Sequence, residues 1–331
     1  MLNFVTFRID DMQTDTQDSL FSKRKRLPWL LGILIFIIML IAVEYIVGWK
    51  AVLTQWQAVP TSTLLPALAL FACSYLLRAW RIYDLCQPAL HGRFIAVLKL
   101  SVLHLYANNM LPMRLGEGLF PILMKRYFSV GFAEGFARLV WLRVLDLMIA
   151  GTLIVITFSY FFPTLALIGT ALGIVSLLVI YAIYRTKGRV WIIQHSFYPK
   201  IEPIIKQLQL TAPKDTKQFM RVVLWTFLSW GCKLAALIMI TRALQSLSTF
   251  EALAGVLGAE LSSILPIHGI AGSGSFEAAF MAGLAPIGLL SSDVLGLAVN
   301  LHLFILGATS LFALLCFWIP VAKPTREDIS I

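Results

Sequence analysis

Eight charged residues, Lys99, Arg114, Glu117, Arg138, Arg143, Asp146, Glu260 and Glu277, lie in or beside strongly apolar segments of this chain. Placing even five of them in hydrocarbon would cost ~15 kcal/mol at ~3 kcal/mol each. That matches the whole stability of a typical domain, ~5–15 kcal/mol, so these groups must be paired, hydrated or close to an interface. Arg143 and Asp146 are three apart, and Glu134 and Arg138 four apart, so each pair shares one helix face. The first pair fits either a structural ion pair or part of a binding site. The second reads as structural, near a helix end.

Glu117 and Glu277 differ because each follows a glycine-containing break and is placed to open a short helix, whose free amides make a positive end suited to phosphate or carboxylate. The plainer role for each is to cap that end with its own carboxylate. Pro266, Gly269, Gly272 and Gly274 interrupt an apolar stretch that Glu260 and Glu277 flank. Proline removes a backbone donor and each glycine costs roughly 1 kcal/mol in a helix, so the helix must stop and restart there. Backbone freed from helical hydrogen bonds cannot face lipid, and at membrane depth it must line a cavity enclosed by protein. Asn109, Pro112, Arg114, Gly116 and Glu117 make a second break. The arrangement assigns Arg114, Arg138 and Arg143 to an anionic headgroup, while Glu117 and Glu277 titrate or exchange partners.

The elements that carry these residues follow from composition. Of the 331 residues 59% are hydrophobic and 13% charged, with a mean hydropathy of +0.83. Several apolar runs reach the ~20 residues needed to cross a bilayer, so the chain reads as an all-α polytopic membrane protein. Its net charge of +10 would suggest nucleic acid in a soluble chain; here the positive residues cluster between apolar spans, as cytoplasmic loops require, and nucleic acid is not an expected partner. The four cysteines, Cys73, Cys86, Cys232 and Cys316, show neither zinc nor disulfide spacing and read as packing residues. His104, His268 and His302 are too scattered to suggest a metal, and no cofactor is expected. The first apolar run lacks a small-residue cleavage site and is expected to stay in the membrane.

Taken in order, residues 1–27 form a cytoplasmic tail whose Lys23–Arg26 cluster precedes the first span, 28–47. A short outer loop leads to span two, 61–81, which ends in Arg78 and Arg81 on the inside. If 93–112 then crossed the membrane, the basic loop at 185–218 would face outward, against the positive-inside rule. A re-entrant hairpin over 93–128 removes the conflict. Spans three to six are expected at 136–161, 164–184, 219–242 and 292–319, with a second hairpin over 250–290 and a cytoplasmic tail over 321–331. The whole is one transmembrane domain, 28–320, of six full spans and two oppositely directed re-entrant hairpins, whose halves, 28–161 and 164–319, form an inverted repeat. Glycine- and proline-broken segments at matching positions of two halves are the usual pointer to a transporter's midplane site.

Enzyme chemistry is not expected. Neither Ser273 nor Ser275 carries the glycine pattern of a rhomboid-type protease, and the short outer loops hold no acidic motif for a glycosyltransferase. A Gly-x4-Gly-Lys-Ser/Thr nucleotide loop is also absent from the sequence, so uphill movement would draw on an ion gradient, with protons as the candidate.

The combination of Asn109, Leu111-Pro112, Arg114-Leu-Gly-Glu117, Arg143-Val-Leu-Asp146, Glu260, Pro266 and Gly269 through Glu277 resembles the lysylphosphatidylglycerol synthase transmembrane region family, also met as the flippase portion of bacterial multiple peptide resistance factors. The resemblance covers about 40–319. It implies a multi-pass protein of the inner membrane, with both termini cytoplasmic, that moves or handles lipids. It does not imply synthase activity, which in that family belongs to a separate soluble domain. Asn300 and His302 stand where many relatives would carry an arginine, which implies a different headgroup. The alternative function is a scaffold that binds lipid or recruits an envelope-lipid or glycan biosynthetic enzyme through the basic loop.

Overall fold

Long apolar runs fold here as long helices that tolerate single prolines and glycines, and breaks fall where proline and glycine cluster. The computed structural model describes residues 23–164, isolated positions between 167 and 175, 206–262 and 269–321, without the side chains of 23–29, 31, 32, 113 and 114. Its elements are α1 (Lys23–Ile46), α2 (Trp49–Thr54), α3 (Thr61–Leu85), α4 (Phe94–Met110), α5 (Leu119–Phe128), α6 (Phe132–Phe161), α7 (Thr216–Leu244), α8 (Thr249–Ser262), α9 (Ser275–Leu284) and α10 (Ser292–Phe317). Among the described residues there is no strand. The expected fourth span, 164–184, lies mostly outside the described residues, as do most of the basic loop and both tails.

Among the described residues four helices, α3, α6, α7 and α10, are long and apolar enough to cross a membrane, and a bent pair raises the number to five. The bend lies in the first expected span. Ile33–Ile46 and Trp49–Ala58 meet at 81°, across Gly48 at φ +82°, a backbone conformation that side chains rarely adopt. The Trp49 amide donates to Glu44 (3.0 Å) and its indole to the Leu40 carbonyl (3.2 Å), which fixes the corner. What reads in sequence as an outer loop around Trp49 and Trp56 is therefore a short helix and a 3-10 turn, Gln55–Ala58.

Both expected breaks are present. The first is a 3-10 segment, Pro112–Gly118, between α4 and α5. The second holds a 3-10 turn, Ile270–Gly272, before α9, while residues 263–268, Pro266 and His268 among them, lie outside the described residues. The arms α4, α5, α8 and α9 have 17, 10, 14 and 10 residues, all shorter than the ~20 needed to span a bilayer.

Packing follows small residues and buried apolar faces. α3 and α7 lie antiparallel along much of their length, with Asp84 beside Arg221, Arg81 beside Thr226 and Cys73 beside Cys232. α8 and α9 approach so closely that a Cβ at Gly258 or Gly283 would overlap the carbonyl of Ala279 or Ala254 on the facing helix, the close backbone approach that small residues permit. α4 packs on α3 and α10, α8 on α7 and α6, α5 on α6, and α9 on α10. Exchanging α3 with α7, α4 with α8, α5 with α9 and α6 with α10 maps this set of contacts onto itself.

Candidate functional site

The two breaks meet in the middle of the bundle around one cavity of about 310 Å³. Its polar wall is made by Arg78 of α3, Asn108 and Asn109 of α4, Glu117, Arg143 and Asp146 of α6, Lys233 of α7, Glu260 of α8 and His302 of α10. Phe71, Leu105, Leu147, Phe276 and Ile305 are among its apolar lining. A mostly apolar hollow with a few converging polar groups is the usual form of a small-molecule or lipid-headgroup site.

Each polar group has a reason to be there. Gly116 lies so close to α4 that a Cβ would overlap the backbone of Asn108, and this contact presses the next residue, Glu117, onto α4 and α6. Glu117 accepts from Arg143 through Oε1 (2.5 Å) and Oε2 (3.3 Å) and from Asn108 Nδ2 (3.1 Å). Arg143 also reaches its neighbour on the same helix face, Asp146, at 3.4 Å. Asp146 is gripped by Arg81, whose two terminal nitrogens lie 2.6 and 3.2 Å from its oxygens, and by the Trp230 indole at 3.0 Å. Across the cavity Lys233 Nζ pairs with Glu260 at 2.6 Å. These are charge-assisted bonds, Arg81–Asp146 and Lys233–Glu260 between largely buried groups and Arg143–Glu117 between partly exposed ones, and such pairing is the condition under which buried charge is tolerated.

At the second break Gly272 and Gly274 have φ of +76° and +80°, and Ala271 between the 3-10 residues has φ +56°. A left-handed alanine facing a cavity is a strained position of the kind found at sites. Gly274 forms the N-cap of α9, and its amide donates to Glu277 Oε2 at 2.7 Å. The other Glu277 oxygen takes His302 Nδ1 at 2.7 Å. Glu277 thus caps its own helix, the plainer of its two sequence readings, and orients a histidine ring that stacks on Phe276 and reaches the cavity.

The sequence-derived residues divide accordingly. Asn109, Glu117, Arg143, Asp146, Glu260 and Gly272 line the cavity; Asn109 also donates to Thr309 at 3.1 Å. Gly269 and Gly274 shape the second break behind that wall, and Glu277 stands one residue behind Phe276. Arg138, expected to hold a headgroup, is instead directed away from the cavity: it binds Glu134 (2.7 Å) and the Leu85 carbonyl (2.8 Å), tying α6 to the end of α3. Arg114 lies in the first break, with its side chain outside the described set. Arg78 and Lys233 were missed. Lys233 is a charge in the middle of an apolar span, which is itself a signal; Arg78 and Arg81 read as interfacial because span two was ended at 81, whereas α3 runs on to Leu85 and draws both inward.

The glutamate of each break has its partner on the following long helix at nearly the same distance along the chain: Arg143 lies 26 residues after Glu117, and His302 lies 25 after Glu277. Cys73 and Cys232, read as isolated packing residues, have their sulfurs 4.0 Å apart across the α3–α7 contact.

Residues 29–313 match the family described as Lysylphosphatidylglycerol synthase TM region. No curated protein matches the chain.

Proposed function

The chain belongs to the lysylphosphatidylglycerol synthase transmembrane region family, and from that premise we propose that it is a lipid flippase or transporter whose substrate headgroup enters the cavity between the two breaks. The observation that carries this reading is the cavity itself, a hollow of about 310 Å³ with apolar walls in which the polar groups of both breaks converge. A protein made only to stand in a membrane has no need to gather so many charges around empty space, because each is costly unless paired. The protein acts without enzymatic chemistry: the ionic groups bind and release a headgroup while the apolar lining accommodates the first carbons of its chains.

The architecture proposed for this task is the inverted repeat, six full spans with α4–α5 and α8–α9 as re-entrant hairpins from opposite faces. It is supported by the contact pattern that repeats when the halves are exchanged, by the shortness of the hairpin arms, and by the matching glutamate pairs. In such a frame the cavity lies near the midplane, where rocking of one half against the other would open it to each side in turn. Arg143 then exchanges Glu117 for the headgroup anion, and Glu117, Asp146, Glu260 and Glu277 are the acids that a proton gradient would work through. The inner membrane, with both termini cytoplasmic, is the proposed setting.

The reading is tested by reconstituting the purified chain in liposomes with a fluorescent phospholipid and following its movement between leaflets. Wild type should move lipid well above protein-free vesicles, and Glu117→Gln and Arg143→Gln should each reduce the rate. Movement no faster than in empty vesicles would favour a lipid-binding scaffold, including one that recruits a biosynthetic enzyme.

A further inference from the structure

Of the charged groups around the cavity, Arg78 alone is held by nothing among the described residues. It is 7% exposed, lines the cavity, and makes no hydrogen bond or ion pair there. Helical spacing puts it on the cavity face of α3, one turn beyond Tyr75 and two beyond Phe71. The acids whose charges reach it are Asp146 and Glu260, and its ionisable surroundings also include Arg81, Tyr75, Lys233 and His104. None of these is bonded to it, and each acid is already engaged elsewhere. Asp146 is engaged by Arg81, Arg143 and Trp230, Glu260 by Lys233, and the Tyr75 hydroxyl by Thr309 at 2.8 Å.

Charge balance gives the same answer. Among the described side chains, Arg78, Arg81, Arg143 and Lys233 face the carboxylates of Glu117, Asp146 and Glu260, so one positive charge is in excess, and it is the one without a partner. Glu277 lies outside the cavity lining and is not among the acids whose charges reach Arg78.

A largely buried guanidinium without an acceptor is costly, and its planar fork suits a phosphate oxygen pair. We propose that Arg78, which has no partner to give up, is the group that first receives an anion in the cavity, ahead of the exchange at Arg143, and that it takes a phosphate ester carrying one negative charge. This rests on the reading of the cavity as a headgroup site and names the residue and charge that select the headgroup. A phosphodiester matches the single excess charge. A monoester or pyrophosphate, with further charge, would have to pull Lys233 from Glu260.

The test uses the full chain, stripped of lipid in detergent, with phosphatidylglycerol as the phosphodiester, phosphatidic acid as the monoester, diacylglycerol as the phosphate-free control and inorganic phosphate as the free anion. Native mass spectrometry reads occupancy. Wild type should retain phosphatidylglycerol at least as well as phosphatidic acid, and Arg78→Gln should weaken it by about tenfold or more, the loss expected for one charge-assisted hydrogen bond. Diacylglycerol retention should not respond to the substitution, and Arg78→Lys should recover part of the binding. Arg78→Gln should also melt no earlier than wild type without lipid, since it removes an unpartnered charge. Binding of phosphatidylglycerol to Arg78→Gln within twofold of wild type, or a lipid-free melting temperature well below wild type, overturns the assignment while leaving lipid transport standing. Arg78-dependent binding of inorganic phosphate with no retention of any lipid keeps the anion site but removes the lipid reading. A wild type that retains neither overturns both.

Discussion

Asp146 offers the sharpest test of how this bundle tolerates its charges. Its carboxylate and the Arg81 guanidinium are withdrawn from solvent, with side-chain exposures of 10% and 4%, and are joined at 2.6 Å. Asp146→Asn keeps the shape and removes the charge, leaving Arg81 buried beside an amide. The Coulomb attraction lost is ~4 kcal/mol at 4 Å and an effective dielectric of 20, and breaking a buried pair from one side costs ~3–5 kcal/mol. The two figures agree, and they are a large part of a stability of ~5–15 kcal/mol. Arg81→Met combined with Asp146→Leu removes both desolvation costs and should recover most of the loss. It still forfeits the Trp230 hydrogen bond, about 1 kcal/mol, while Arg143 keeps Glu117. A double-mutant cycle by denaturant unfolding in mixed micelles should therefore give a coupling of at least about 2 kcal/mol. If Asp146→Asn unfolds with wild type, or if the double variant is as unstable as the sum of its singles, the buried-pair argument is wrong.

Other outcomes follow from separate features. Gly283→Leu should abolish folding or lower the melting temperature severely, because its side chain must occupy the carbonyl of Ala254; an unchanged melting curve would deny the close α8–α9 contact. Mild oxidation should join Cys73 to Cys232, whose sulfurs lie 4.0 Å apart, and peptide mapping should recover that pair; its absence under conditions that oxidise surface thiols would contradict the antiparallel α3–α7 register. In a cysteine-free background, Lys125→Cys and Leu290→Cys, both at exposed positions, should react with impermeant reagents from opposite sides of the membrane, Lys125→Cys from the cytoplasmic side. Labelling of both from one side would remove the inverted repeat. Glu117→Gln should slow lipid movement at least about tenfold, since its charged bonds with Arg143 are worth ~1.5–3 kcal/mol each; full activity would make that pair structural.

How much of this was legible beforehand depended on whether a feature is local. Helix limits were readable because apolar length, proline and glycine act within a few residues: span three was expected from 136 and runs from Phe132, and both breaks stand where proline and glycine mark them. The pairings Arg143–Asp146 and Glu134–Arg138 were readable too, because helical spacing alone brings them together. The reading failed where a helix end was misplaced by one turn: Arg78 and Arg81 were assigned to the interface, and α3 carries them into the core.

What the sequence by itself determined was the place of the two breaks marked by proline and glycine, an all-helical chain with apolar spans and the presence of more charge than hydrocarbon could hold alone, while the bend at Gly48 escaped it. Only the tertiary structure decided which charges meet. Arg81 and Asp146 are 65 residues apart in the chain and Arg78 is farther still from Glu260, so no spacing rule couples them. The physical reason is that pairing across helices depends on rotation about the helix axis, and rotation is fixed by the close-packed faces of α3, α7 and the two broken arms together. That packing satisfied Arg81, Arg143 and Lys233, turned Arg138 away to the α3 terminus, and left Arg78 facing the cavity without a counterion.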